Sequence, residues 1–155
     1  MCYVRISKCI FFSCLIFTLH ALAAHETDAK LGLSNLQKAE AFLSDISKKS
    51  TVSVLVPNRL YYEVLQQGDF LSMLKFFHYK IYTLENKIVI DTFKESKARQ
   101  VCLDSTIIGF AKGVEGMKIN EKRRLYIHPD LAYRNIGIFV PSESLIIVEV
   151  EAKEC

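Results

Sequence analysis

Three prolines and six glycines in 155 residues are too few for a collagen-like chain or a Pro/Gly-rich linker protein. Tryptophan is missing altogether, and no internal repeat or low-complexity segment is present. Five cysteines do not make a disulfide-stapled scaffold. The formal charge of +3 is small and scattered, without the dense basic face of a dedicated nucleic-acid binder. What remains is a chain that is 50% hydrophobic and 24% charged, a composition that excludes disorder. Its length fits one domain with a short appendage.

Acidic residues are missing from one place in particular: residues 1–23 contain none. Arg5 and Lys8 are followed by an almost wholly apolar run from Cys9 to Leu22, which ends at the small residues Ala21-Leu22-Ala23-Ala24. This is the layout of a secretory signal peptide. The run is shorter than the roughly 20 residues of a membrane span, so cleavage is preferred to an uncleaved anchor. Cys14 lies too early, behind bulky neighbours, for lipid attachment. Cleavage after Ala23 removes two of the 20 basic and none of the 17 acidic residues, so the net charge falls from +3 to +1. Cys102 and Cys155 alone remain. Export implies an oxidising compartment, but two unpaired thiols are preferred here to a bridge.

The remainder divides into a helical extension over 24–57 and a domain over 58–155. Leu36, Ala39, Phe42, Leu43 and Ile46 recur at helical spacing. Ser34 and Gln37 stand at the positions of a capping box, and the stripe packs either on its own domain or on a second copy of the chain. Beyond Ser50 the period becomes that of strands. Strands are predicted at Leu60–Leu65, Leu74–Leu84, Lys87–Phe93, Val101–Leu103, Glu121–Ile127 and Leu145–Glu151, with one small helix near Thr106–Lys112. No βαβ rhythm is visible. The fold class is α+β: a bent antiparallel sheet wrapped around a short α-helix, preceded by an N-terminal helix.

Common catalytic signatures are missing. There is no P-loop, dinucleotide fingerprint or nucleophile elbow. His25, His78 and His128 have no partner at metal-ligand spacing, so no metal and no cofactor are expected. His78 and His128 read as structural. Lys122-Arg123-Arg124 reads as a solvated strand face in preference to an anion site.

Two segments are more specific. Thr106-Ile107-Ile108-Gly109-Phe110-Ala111-Lys112-Gly113-Val114-Glu115-Gly116-Met117 resembles the V-I-x-G-W-x-E-G-L-x-x-M segment of the FKBP-type peptidyl-prolyl cis-trans isomerases. Leu125-Tyr126-Ile127-His128-Pro129-Asp130-Leu131-Ala132-Tyr133 resembles that family's I-P-x-D-L-A-Y-G turn. Phe77-His78-Tyr79 and Leu145 to Glu151 are similar to its V-H-Y-T-G and L-V-F-E-V-E-L strands. Lys38 to Ser44 and Arg59 to Leu65 resemble the macrophage infectivity potentiator branch.

The resemblance implies an exported isomerase, or rotamase, that assists the folding of extracytoplasmic proteins by binding X-Pro segments in an apolar pocket. It implies Asp91 and Tyr133 as catalytic residues, with Asp91 paired to Tyr79 and the Tyr133 hydroxyl on a substrate carbonyl. Tyr79, Ile90, Val101, Thr106, Ile107, Phe110, Phe139 and Val148 would bind substrate, the backbone amide of Ile107 holding the peptide. Proline-containing polypeptides are the implied partners and macrolides possible pocket inhibitors. A homodimer through the N-terminal helix, and the periplasm or outer-membrane surface of a Gram-negative bacterium, follow from the same likeness. The chain departs from the pattern at Ile90, Phe110 and Val148, which replace family aromatics, and at Ile81 and Arg134, which replace glycines. These departures keep open a second reading, a weak or inactive chaperone or secretion accessory on the same scaffold.

Overall fold

Alternating apolar residues are buried on one side of a strand and leave its other side free for a second layer. The computed structural model describes residues 33–72, 76–133 and 140–154. Both sides of its sheet are used. The elements run α1 (Asn35–Ile46), β1 (Val52–Val56), β2 (Leu60–Gln66), β3 (Phe76–Thr83), β4 (Ile88–Asp91), β5 (Arg99–Gln100), α2 (Ile108–Val114), β6 (Lys122–Ile127) and β7 (Ile146–Lys153). The strand order is β1-β2-β6-β7-β3-β4, with β5 also on β3, and every pair is antiparallel. This is the α+β architecture that the periodicity predicts. The signal-peptide segment lies outside the described residues. Ser34–Cys155 form one compact unit.

Leu60, Leu125, Ile127, Ile146, Val148 and Val150 face α2 and form the larger core with Phe77, Ile81, Phe110, Val114 and Met117. Their alternates, Tyr61, Tyr126 and Ile147, face the other way and are buried under Ala39, Leu43 and Ile46 of α1. Register aligns the covered residues in a row: Tyr61 opposes Tyr126, Tyr126 opposes Ile147, and Ile147 opposes Tyr82. The stripe of α1 therefore packs on its own domain. The helix starts where the capping box predicts: Ser34 Oγ accepts from Gln37 N at 3.2 Å, and Gln37 Oε1 accepts from Ser34 N at 2.9 Å.

On the α1 face the next row carries charge. Glu63, Arg124, Glu149 and Lys80 are consecutive cross-strand neighbours of alternating sign. Arg124 Nη2 reaches Glu149 Oε1 at 2.7 Å, while Tyr82 donates its hydroxyl to the same oxygen at 3.3 Å. Burial, with the Glu149 charge second, pushes the Tyr82 phenol up to about 12.

Three local readings are corrected. Val101–Leu103 is not a strand: β5 ends at Gln100, and Leu103–Ser105 form a 3-10 turn. Val52–Val56, placed within the helical extension, is instead a sheet strand paired with β2. Arg123 is not on a solvated face. Alternation puts it on the side of Leu125 and Ile127, where it is 8% exposed beside Glu121 at 5%. Its Nε donates to Glu121 Oε1 at 2.5 Å, and its Nη1 donates to the carbonyls of Gly113 and Glu115, each at 3.0 Å. Glu121 Oε2 in turn accepts from Lys118 N at 2.8 Å. The guanidinium also lies 4.8 Å from the centre of the Tyr62 ring. It thus satisfies carbonyls left open at the C-terminal end of α2.

Helix α2 meets β6 through two glycines four residues apart. A Cβ at Gly109 would lie 2.2 Å from Ile127 Cγ2, and one at Gly113 would lie 2.3 Å from Leu125 Cδ1. The helix can sit this close only because both positions lack a side chain.

These contacts predict an order of urea midpoints. Removing the Glu121 carboxylate (E121A) strands a buried cation and should cost about 3–5 kcal/mol. Overpacking by G113A should cost about 1–3 kcal/mol, and loss of the cap in S34A about 1 kcal/mol. Equilibrium unfolding should place S34A nearest the parent and E121A farthest; an E121A midpoint equal to that of S34A would contradict the burial described.

Candidate functional site

Strand β3 sends Phe77, Tyr79 and Ile81 to the α2 side, because side chains two apart share a face. Ile90 of β4 stands opposite Ile81. Val101 follows β5, Thr106 and Ile107 precede α2, and Phe110 lies on its first turn. Tyr133 follows the 3-10 turn Pro129–Leu131. Together Tyr79, Ile81, Ile90, Val101, Thr106, Ile107, Phe110 and Tyr133 line a cavity of about 70 Å³.

The floor is aromatic. The Phe110 ring meets Phe77 edge-on at 6.0 Å and Tyr79 at 5.7 Å between centroids. Such pairs contribute about 0.5–1.5 kcal/mol beyond area burial. Burial raises the Tyr133 phenol above its ordinary value, with the neighbouring Tyr79 hydroxyl adding to the effect. The neutral phenol is the form that donates a hydrogen bond, so burial extends its range to higher pH. Ile107 is the N-cap of α2, in extended conformation, so its amide has no acceptor within the helix. A larger open hollow of about 590 Å³ lies among Phe76, His78, Ser96, Lys97, Ala98, Lys153 and Glu154. It has mixed charges and no converging aromatic floor, so the smaller cavity is the candidate site.

Seven of the ten residues assigned from the sequence meet in that cavity. Val148 is fully buried in the core beside it and does not line it. Phe139 lies outside the described residues. Asp91 also falls outside the lining. It stands opposite Lys80 in register, one residue beyond Ile90, and its Oδ1 accepts from Phe93 N at 3.1 Å. Cys102 is exposed next to the cavity residue Val101 with its thiol free; Cys155, the other cysteine left after cleavage, is not among the described residues. His128 is fully buried, and its Nδ1 accepts from Asp130 N at 3.1 Å, a structural position. Among the described residues no cluster of three or more His, Cys, Asp or Glu side chains is placed to hold a metal ion.

Two residues were not anticipated. Ile81 follows Tyr79 by two, which is the signal that could have found it. Thr92 gives no such signal. It is fully buried and seats Tyr79: its Oγ1 accepts from Tyr79 N at 2.8 Å and donates to Tyr79 O at 3.1 Å, while its own N–H donates to Tyr79 O at 3.0 Å. A valine there keeps the shape and loses both side-chain bonds. T92V should therefore lower stability by about 1–3 kcal/mol and accelerate exchange of the Tyr79 amide; unchanged protection of that amide would contradict the role.

Residues 62–153 match the sequence profile of the FKBP-type peptidyl-prolyl cis-trans isomerases. The chain is 37% identical over 124 residues to the peptidyl-prolyl cis-trans isomerase Mip of Chlamydia trachomatis, covering 77% of this chain and 51% of that protein. It spans about half the length of the curated relatives it matches. Its fold is similar to that of FkpA from Escherichia coli, with a TM-score of 0.68 at 22% identity over 97% of this chain and 73% of that one. A peptidyl-prolyl cis-trans isomerase from Pseudomonas syringae also superposes with a TM-score of 0.68, at 21% identity over 77% of this chain and 92% of that one. By profile, relatives and fold, the chain belongs to the FKBP-type peptidyl-prolyl cis-trans isomerase family, in its Mip-like branch.

Proposed function

We propose that this chain is an exported isomerase of X-Pro bonds that assists the folding of extracytoplasmic proteins. The observation that carries the reading is the cavity lined by Phe110, Tyr79, Ile81, Ile90, Val101, Ile107 and Tyr133. Rotation about the C–N bond faces a barrier of about 18–20 kcal/mol because resonance makes it partly double. The twisted amide has lost that resonance and its charge separation. An apolar enclosure that excludes water favours it over the planar, better solvated form, and no nucleophile or metal is needed. The prolyl ring would sit on Phe110, the Tyr133 hydroxyl and the Ile107 amide would hold substrate carbonyls, and Val148 would support the floor from the core.

The leader-like residues 1–23 and the Mip-like likeness support export to the periplasm or outer-membrane surface of a Gram-negative bacterium. Proline-containing polypeptides are the substrates in this reading, and a macrolide would compete for the same cavity. A homodimer would use a surface other than the stripe of α1, since Ala39, Leu43 and Ile46 are taken up by the sheet. One observation favours a second reading, a chaperone that holds prolyl segments without turning them. The Asp91 carboxylate, assigned to catalysis by the family likeness, is engaged with Phe93 N and stands outside the cavity lining.

Exchange spectroscopy on an Ala-X-Pro-Phe peptide separates the two. The full chain should accelerate isomerisation, and Y133F should lower kcat/KM by about threefold to tenfold, the worth of one hydrogen bond. D91A measures the contribution of the carboxylate directly. Binding without acceleration by the parent chain would favour holding; neither binding nor acceleration would defeat both readings.

A further inference from the structure

Toward the centre of the sheet the cavity ends at one aliphatic side chain. Ile90 of β4, Ile81 of β3 and Val148 of β7 form a cross-strand row, with Ile81 opposite both of the others. Cross-strand partners share a face and stand about 4.5–5.5 Å apart between Cβ atoms. Ile90 and Ile81 line the cavity. Val148, the next in the row, is fully buried and does not line it. Along this row, therefore, the boundary between cavity and core is the Ile81 side chain.

That boundary is stiff, and the opposite end of the row is not. Ile81 is buried in the same core cluster as Phe77, Phe110 and Val148. Its β-branched side chain has few rotamers to choose from. Behind it lies close-packed core, where a change of even one methylene is felt. Ile90 is only half-buried and sits on β4, the last strand of the sheet order, so it has no further strand behind it. Tyr79, two residues before Ile81 on the same face, is fixed edge-on against Phe110. The space these residues enclose, about 70 Å³, leaves little slack for a larger ring.

We propose that Ile81 is a specificity-determining residue: it sets the depth of the cavity, which takes the five-membered ring of proline and rejects the six-membered homologue, pipecolic acid, that is larger by one methylene. The proposal rests on the isomerase reading and names the ring size which that reading leaves open. A methylene that finds room in an apolar cavity gains affinity. One that finds none must push a packed wall out of its rotamer. One methylene in a hydrophobic pocket discriminates by about tenfold to two-hundredfold. Shortening Ile81 extends the cavity toward Val148, along the row, and supplies the missing room.

The test uses the full chain, its I81A, I81V, I81L and I146A variants, and two peptides that differ only in the ring: Ala-Leu-Pro-Phe and the same peptide with pipecolic acid in place of proline. Ile146 is fully buried in the same core but outside the lining, so I146A reports a loosened core alone. Affinities are read by titration of amide resonances, which needs no turnover. The parent should bind the prolyl peptide at least about tenfold more tightly than the pipecolyl one. I81A should bring the two near parity by gaining affinity for the larger ring. I81L, of equal volume, should keep most of the preference, and I146A should keep all of it. Equal binding of both rings by the parent, an unchanged ratio in I81A, or a ratio lost equally in I146A overturns the proposal. Where I81A does not fold, I81V removes one carbon and should still lower the ratio; an unchanged ratio there overturns the proposal too. If the parent binds and turns both rings alike, the isomerase reading stands and only the proposal falls. If it neither binds nor turns either peptide, the isomerase reading fails and takes the proposal with it.

Discussion

Helix α2 has only seven residues, yet it supplies the floor of the site. An isolated helix shorter than about 12–15 residues is marginal in water, so α2 persists because the sheet holds it. Two contacts do this. Gly109 and Gly113 let its axis approach until a Cβ at either would strike Ile127 or Leu125. The buried Arg123 then takes the carbonyls of Gly113 and Glu115 at the far end, its own charge balanced by Glu121. Between these two fixings lies Phe110, and Ile107 caps the start. A displacement of α2 would carry Phe110 and the Ile107 amide together, so the shape of the cavity depends on an ion pair that lies outside its lining.

The sheet imposes a second, quieter constraint. Tyr79 is seated by Thr92 from the neighbouring segment and faced by Phe110 from α2. One aromatic ring is thereby fixed on two sides before any ligand arrives. Preorganisation of this kind lowers the ordering penalty on binding. It also explains how a cavity with the aliphatic Ile90 in its wall, and the aliphatic Val148 in the core beside it, can keep a defined shape: the remaining rings pack on one another.

What was legible in the sequence was whatever depends on local pattern. Ser34 and Gln37 announce the start of α1, and the alternation in β7 separates Ile146, Val148 and Val150 from Ile147 and Glu149. Tyr79, Ile107, Phe110 and Tyr133 could be assigned to one pocket because family motifs carry them in order. What was hidden depends on partners distant in sequence. Arg123 sits in a run of three basic residues that reads as solvated; only the fold brings α2 carbonyls and Glu121 to it. Thr92 is an ordinary strand-end residue until its hydroxyl meets Tyr79. Val52–Val56 has a strand composition, but it was grouped with the helix before it because its register partner, β2, comes later in the chain.

The cover that α1 provides has a practical corollary. The profile match begins at residue 62, and a fragment cut at 58 would retain every cavity-lining residue described here. It would also lose Ala39, Leu43 and Ile46, baring Tyr61, Tyr126, Leu145 and Ile147 as one contiguous greasy strip. Exposed patches of that kind drive self-association. An excised domain would therefore tend to clump, and any unfolded chain added to it would adhere to its bared back. Holding activity measured on such a fragment would report a wound left by truncation, whereas the same assay on a chain that keeps α1 reports the site.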